Sequence, residues 1–177
     1  MRVLFIIAFR DFQDVEFLKT KEILEQNNIE CDVASTQKGI AKGSFGAEFK
    51  VSKILEEISP QDYDCVIFIG GAGTPSVRAK RDAIRIAEQS YKLGKLTCAI
   101  CWAPTILAKA GILKNKKATV WVGSDNEYQK STKEVLEQYG ADFVDKELVV
   151  DGNLITANGP PSAEKFAKEI IKFLGKK

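Results

Sequence analysis

The sequence predicts an α/β protein in which a mostly parallel sheet is covered by helices on both faces. Short, continuous apolar runs recur along the chain, and such runs are typical of strands buried on both faces. Amphipathic segments of helical length separate these runs. Strands and helices that alternate at this spacing favour parallel pairing through helical crossovers, which gives a doubly wound three-layer sandwich.

The first half of the chain supplies three predicted strands, one helix and one hairpin. Asp14 follows the first apolar run and can cap the helix after it. Three spaced glycines, Gly39, Gly43 and Gly46, indicate a small hairpin between the second and third strands. In chain order, these elements are strand 3–8, helix 15–26, strand 31–35, hairpin 39–51 and strand 64–69.

The second half repeats the alternation. Asp151 and Gly152 form a turn signal between two short apolar runs. Earlier in the chain, Gly111 ends the predicted helix 103–110. The elements are a helix with the stripe Val77, Ile84, Ala87 and Tyr91, strand 96–100, helix 103–110, strand 117–122, helix 132–139, hairpin 147–157, and a closing helix with Phe166, Ile170, Phe173 and Leu174 on one face.

Length and composition limit the function classes. We predict one domain over residues 1–177, because no composition shift marks a linker. The 26 basic and 24 acidic residues are interspersed, so neither nucleic acid nor a membrane is an expected partner. The first apolar run is too short to span a bilayer. Four cysteines are too few for a disulfide scaffold, so we expect a reducing compartment and a cytoplasmic protein.

Ligands of an open parallel sheet collect beyond the carboxyl ends of its strands, and this rule places Cys101 in a candidate site. Cys101 lies between a predicted strand and a predicted helix, with the small residue Ala103 two positions later. This is the layout of a nucleophile elbow, and a helix start favours thiolate over thiol. Gly70 and Gly71 can offer backbone amides to a developing oxyanion. From the local pattern alone, a buried strand-end cysteine beside a tight turn is an equal alternative.

Cofactor and metal chemistry are not expected. Cys98 and Cys101 have C-x-x-C spacing, but residues three apart in a strand point to opposite faces. Zinc would need further ligands, and the chain has no histidine. The glycines at 71–73 lack the third glycine of a dinucleotide fingerprint. We therefore predict no cofactor and no metal.

Four ordered segments resemble the PfpI/ThiJ family. This family of intracellular-protease-like proteins includes the Parkinson-associated deglycase and is related to class I glutamine amidotransferases. The resemblance covers nearly the whole chain. The segments are MRVLFIIAFRDFQDVEF, DYDCVIFIGGAGTPSVR, AICWAPTILAKAGILKNKKAT and VVDGNLITANGPPSAEKFAKEII.

The resemblance implies a flavodoxin-like sandwich, a homodimer or larger homo-oligomer, and a reactive elbow cysteine at Cys101. It also implies that the proton-handling positions have changed. Trp102 stands where peptide-hydrolysing members carry a histidine, and Ser76 stands where its acidic partner would fall. Gln13 aligns with the glutamate of members that act on glyoxals. Around Cys101, Gln13 and Trp102, the expected pocket and oxyanion residues are Gly70, Gly71, Ala72, Ser76, Asn158, Gly159 and Pro160.

Three hypotheses follow. In the first, Cys101 attacks a small carbonyl or acyl substrate, while Asp14, Glu16 or a carboxylate of another subunit moves protons; this is glyoxalase-like, deglycase-like or weak hydrolase chemistry. Peptidase activity is not expected, because a Cys–His dyad needs a histidine. In the second, the protein is a non-catalytic thiol redox sensor or a stress-protective, chaperone-like protein. In the third, it is a structural relative that kept the elbow and lost the chemistry.

Overall fold

The computed structural model describes residues 1–175, so residues 176 and 177 of the predicted domain lie outside the described part of the chain. Six α-helices are present in this range: α1 Asp14–Gln26, α2 Thr74–Arg78, α3 Arg81–Lys92, α4 Pro104–Lys109, α5 Thr132–Gln138 and α6 Ala163–Leu174. Fourteen strands accompany them: β1 Arg2–Ile6, β2 Arg10–Phe12, β3 Glu30–Ser35, β4 Gly39–Gly43, β5 Glu48–Val51, β6 Lys53–Ile54, β7 Cys65–Phe68, β8 Leu96–Ile100, β9 Lys117–Ala118, β10 Ser124–Asp125, β11 Lys130–Ser131, β12 Asp142–Phe143, β13 Leu148–Asp151 and β14 Leu154–Ala157.

The central sheet has seven strands in the order β13-β14-β8-β7-β1-β3-β6. Every neighbouring pair is parallel except β13 and β14, which form the hairpin predicted from Asp151 and Gly152. Helix α1 packs against α6, while α2, α3, α4 and α5 pack among themselves. Right-handed crossovers place these two groups of helices on opposite faces of the sheet. The predicted three-layer, flavodoxin-like sandwich is confirmed.

The strand order fixes where loops converge. The chain runs from β1 to β3 on one side and then crosses to β7 on the other side of β1. A reversal of this kind opens a crevice at the carboxyl ends of the strands. Strands β1, β7 and β8 are buried along almost their whole length, so the crevice rests on the rigid centre of the core.

Two predicted elements differ in the structure. The helix with Val77 and Tyr91 on one stripe is divided into α2 and α3, because Ala79 and Lys80 connect two separate helical segments. The strand expected at residues 117–122 is reduced to β9, which pairs with β12 outside the central sheet. Beyond it the chain turns towards the elbow, where the Trp121 amide donates to the Cys101 carbonyl at 2.8 Å.

The four cysteines are free thiols, and the predicted separation of Cys98 from Cys101 agrees with their surroundings. The sulfur of Cys98 faces Cys65 on the neighbouring strand, with the two Sγ atoms 3.8 Å apart in the core. Within residues 1–175, no helix has the length and apolar character required to cross a membrane.

Candidate active site

Cys101 occupies a sharp turn between β8 and α4. Its φ angle is +62°, in the left-handed region that a residue with a side chain rarely adopts. Main-chain hydrogen bonds on both sides hold this conformation: the Cys101 amide donates to Ala157 at 2.9 Å, and its carbonyl accepts from Trp121. A strained turn that presents its side chain beyond a strand end is the geometry of a nucleophile elbow.

Gly70 and Gly71 let the loop after β7 approach this elbow. A Cβ atom on Gly70 would lie 2.7 Å from the Cβ of Cys101 and 2.8 Å from the carbonyl oxygen of Ile100. Gly71 has a φ of +111°, and a Cβ there would lie 2.4 Å from the carbonyl oxygen of Asp11. Larger residues would therefore force the strand ends apart.

Glu16 is the acidic group beside the thiol. Its side chain is fully buried, and its Oε2 accepts a hydrogen bond from the Gly70 amide at 3.1 Å. The carboxyl lies beside the thiol, because a Cβ atom on Gly70 would be 3.0 Å from Glu16 Oε2 and 2.7 Å from the Cys101 Cβ. Burial raises the pKa of Glu16 to about 8, although the hydrogen bonds with Cys101 and Gly70 oppose this increase. The carboxyl is therefore mostly protonated at neutral pH and can donate to a thiolate.

The Cys101 thiol is less acidic than the sequence predicts. Burial raises its pKa most, and the negative charge of ionised Glu16 and its hydrogen bond raise it further. The backbone amides of Gly71 and Trp102 lower the pKa, as expected for groups that stabilise a thiolate, but their effect is the smaller one. The expectation of a thiolate favoured by the helix start alone is wrong, because α4 does not offset the loss of hydration around a side chain only 8% exposed.

Gln13 does not occupy the carboxylate position that the resemblance assigned to it. It is the N-cap of α1, and its side-chain oxygen accepts from the Glu16 amide at 2.8 Å. Gln13 lines the cleft, whereas the carboxyl of Glu16, three residues later, lies beside Cys101 at Gly70. The sequence did carry a signal for Glu16. It is the third residue after the N-cap, and a side chain at that position points back over the first helical turn towards the strand ends.

Asp14 and Glu16 were predicted together as proton handlers, but the structure separates them. The Asp14 carboxylate accepts hydrogen bonds from the amides of Phe45 and Ala47, at 3.0 and 2.7 Å. It thereby anchors the loop between β4 and β5 to α1. Asp14 is also the first residue of the helix rather than its cap, because Gln13 takes that position.

Trp102 is fixed by a buried ion pair that sequence reasoning missed. Its indole Nε1 donates to Asp125 Oδ2 at 2.9 Å. Arg78 holds the same carboxylate through Nη1 at 2.6 Å and Nη2 at 3.0 Å, and both side chains of the pair are fully buried. Burial alone would raise the pKa of Asp125, but hydrogen bonds from Arg78 and Trp102 hold it below its ordinary value. No local pattern connects Arg78 with Asp125, since 47 residues separate them.

A cleft of about 420 Å³ opens above the sulfur. Three aromatic side chains line it, Phe45, Trp102 and Trp121, together with the small residues Gly71, Ala72 and Pro160. Cys101 lies on its inner surface, and Gln13 and Ser44 supply the polar side chains.

The remaining predicted pocket residues lie around this cleft or support it. Gly70 is buried beneath the elbow, against Cys101 and Glu16. Gly159 is buried, and Asn158 uses its side-chain oxygen to accept from Ser162 at 2.8 Å. Ser76 is exposed and donates to the Gly73 carbonyl at 2.7 Å, so its hydroxyl is directed to its own turn. In the described range 1–175, no cluster of three or more histidine, cysteine or acidic side chains could hold a metal ion.

Together these groups form a nucleophile, a proton carrier and hydrogen-bond donors at one point. The sulfur can add to an electrophilic carbon, the Glu16 carboxyl can give or take a proton, and the amides of Gly71 and Trp102 can stabilise negative charge. A base of the imidazole type is excluded by the composition.

Comparison with known proteins agrees with this geometry. Residues 1–173 match the DJ-1/PfpI family. An uncharacterized protein of Methanocaldococcus jannaschii is 36% identical over 99% of this chain and 83% of its own length. The Pyrococcus furiosus protein named Deglycase PfpI is 31% identical over 98% of this chain and 99% of its own.

Solved structures give the same result. The ThiJ/PfpI domain protein of Brachyspira murdochii superposes with a TM-score of 0.91 at 27% identity, over 99% of this chain and 97% of that one. With the strand order, the elbow and these sequence matches in agreement, the chain belongs to the DJ-1/PfpI family.

Proposed function

We propose that this protein is a cysteine-dependent enzyme of the glyoxalase or deglycase type that acts on small carbonyl compounds. The observation that carries the proposal is the contact between the buried Glu16 carboxyl and the Cys101 thiol. A buried acid whose pKa is raised to about 8 can exchange a proton with substrate near neutral pH. Relatives named deglycases support the same class of chemistry.

The proposed reaction is the hydration of an α-oxoaldehyde to a 2-hydroxy acid. Cys101 Sγ adds to the aldehyde carbon, the C=O electron pair moves to oxygen, and the amides of Gly71 and Trp102 stabilise the oxyanion. Glu16 gives its proton to the oxyanion, takes the proton from the former aldehyde carbon and passes it to the neighbouring carbonyl carbon. The oxygen of that second carbonyl takes up the hydroxyl proton of the first, which leaves a 2-hydroxy thioester. Water cleaves the Sγ–C bond, and the thiol regains its proton. The overall change adds one water molecule and needs no oxidant.

Peptide hydrolysis is a weaker fit to this site. An amide leaving group must be protonated as it departs, and the cysteine peptidases that achieve this rely on a histidine. Trp102 occupies the position after the cysteine, and its indole N–H is already committed to Asp125. An indole also offers no base.

A redox sensor is also a weaker fit. Sensor cysteines are exposed and have a low pKa, because the thiolate is the form that oxidants attack. Cys101 is 8% exposed, and burial raises its pKa.

The proposal is tested with purified protein and its Cys101→Ala variant, assayed with methylglyoxal, glycated amino acids and fluorogenic peptides. We expect the native protein to convert methylglyoxal to lactate and the variant to lose this activity by roughly a hundredfold or more. Equal turnover by both proteins would remove Cys101 from the reaction. Rapid peptide cleavage by the native protein would overturn the assigned reaction class.

A further inference from the structure

The cleft above Cys101 is unusually aromatic for a site that handles small polar aldehydes. The ring centroids of Trp102 and Trp121 lie 5.6 Å apart with their planes at 38°. Phe45, at the tip of the loop between β4 and β5, faces the same space although its side chain is 79% exposed. If the substrate carried only a methyl group on its carbonyl carbon, most of this apolar wall would remain exposed to water.

The groups that line the cleft also disfavour a charged substrate. Among residues 1–175, no Lys, Arg, Asp or Glu side chain lines it, and its polar side-chain groups are those of Gln13 and Ser44, the Cys101 thiol and the indole N–H groups of Trp102 and Trp121. The fully buried guanidinium of Arg78 is occupied by Asp125 and Glu127. A substrate carboxylate would therefore lose hydration without gaining an ion pair.

Two of the three aromatic walls, Trp102 and Trp121, are held in place before any ligand binds. Trp102 is fixed through its Nε1 to Asp125. The Trp121 amide donates to the Cys101 carbonyl, and its own carbonyl accepts from the Thr132 hydroxyl. A Cβ atom on Gly123 would lie 1.9 Å from the Trp121 ring, so the glycine leaves the space that this ring occupies. Groups ordered in advance lose little freedom when a ligand arrives.

Resting on the proposed function, we propose that Phe45 and Trp121 determine substrate specificity and that the cleft selects uncharged carbonyl compounds with an aryl or bulky apolar group. Such a group packs between these two rings while its carbonyl carbon meets Cys101. Anionic carbonyl compounds such as glyoxylate are poor ligands of this cleft. Phe45 and Trp121 lie on separate segments, so each contributes one wall of the same subsite.

The experiment uses two pairs of probes. Within each pair, one compound carries an aromatic ring and the other does not. Turnover is measured as kcat/KM for phenylglyoxal and methylglyoxal, with glyoxylate as the anionic comparison. Independently of turnover, the rate of Cys101 alkylation is measured with N-benzyl-iodoacetamide and iodoacetamide, where the Sγ–C bond forms as iodide leaves. The proteins are the native chain, Phe45→Ala, Trp121→Ala, the conservative Trp121→Phe, and Val122→Ala as a control. Val122 is 54% exposed, adjacent in sequence and outside the cleft lining.

We expect the native protein to favour the aryl member of each pair by about tenfold or more. Phe45→Ala and Trp121→Ala should each reduce this ratio at least threefold, whereas Trp121→Phe and Val122→Ala should retain most of it. A native ratio below about two in alkylation, or one that neither alanine variant changes, would overturn the specificity proposal. Absence of turnover with every aldehyde would instead overturn the proposed function, and the alkylation ratios would still decide the aromatic subsite. Phe45→Ala keeps the test valid if Trp121→Ala does not fold.

Discussion

At the scale of single residues, the proposed chemistry depends on the buried Glu16 carboxyl beside the Cys101 thiol. Burial raises the pKa of both groups, and each group affects the pKa of the other. In such a pair the first proton lost belongs to the pair rather than to either residue. The acid that remains can then stabilise the thiolate, which explains how a buried sulfur can still act as a nucleophile.

This coupling gives a pH dependence with a defined sign. Below pH 8 both groups carry protons, so kcat/KM and the rate of Cys101 alkylation should rise with pH and level off above about 8. In Glu16→Gln the thiol must ionise alone in its buried position, so the alkylation rate should keep rising beyond pH 9. Its kcat/KM at pH 8 should fall by roughly a hundredfold to ten-thousandfold.

Glu22→Gln is the matched control, because Glu22 is exposed on the same helix. This variant should retain the native profile. A level region near pH 8 that persists in Glu16→Gln would show that another group controls the thiol.

At the scale of elements, the loop between β4 and β5 is tied to the start of α1 through Asp14. The carboxylate is 6% exposed and accepts two amide hydrogen bonds from the loop. Gly43 permits this contact, since a Cβ there would lie 2.5 Å from the Asp14 carboxyl. The same loop carries Phe45 to the cleft, so the anchor connects helix α1 with the substrate site.

Asp14→Asn tests this connection. The amide retains one acceptor oxygen and places an NH2 group against the second loop amide, so the free energy of unfolding should fall by about 1–2 kcal/mol. Hydrogen exchange at the amides of Phe45 and Ala47 should accelerate more than exchange in the central strands. Unchanged exchange at these two amides would contradict the anchor, and Glu22→Gln again serves as the control.

At the scale of the whole molecule, several apolar side chains are exposed, three of them on α1 and β4. Val15 and Leu18 on α1 are 50% and 47% exposed, and Ile40 on β4 is 45% exposed. Exposed apolar groups of this size are typical of contact surfaces. They agree with the homo-oligomer that the family resemblance implies, which stays a prediction.

We expect a homodimer in which α1 of one subunit meets the same helix of its partner. Light scattering after size exclusion should give about twice the monomer mass at micromolar concentration. Leu18→Glu should shift the mass to that of a monomer, because a buried carboxylate without a partner is costly. Leu93→Glu, which changes an equally exposed leucine after α3, should not alter the mass. Dissociation by the second variant alone would place the interface at α3.

The sequence was sufficient for the central strands of the sheet and for the elbow. Continuous apolar runs located β1, β7 and β8, and the position of Cys101 between a strand and a helix located the nucleophile. Contacts between distant segments were not visible in this way. Glu16 was among the predicted proton handlers, but Gln13 was expected at the carboxylate position beside the sulfur, because its role as the N-cap of α1 was not recognised. Arg78 and Asp125 meet only after folding, and nothing near either residue in sequence indicates the other.

The backbone conformation of Cys101 is unfavourable for a residue that carries a side chain. Glycine adopts a φ of +62° without the steric conflict that a side chain meets there. Replacement of this cysteine by glycine would therefore remove the backbone strain together with the thiol. A cysteine at this turn therefore carries a conformational cost that glycine would avoid.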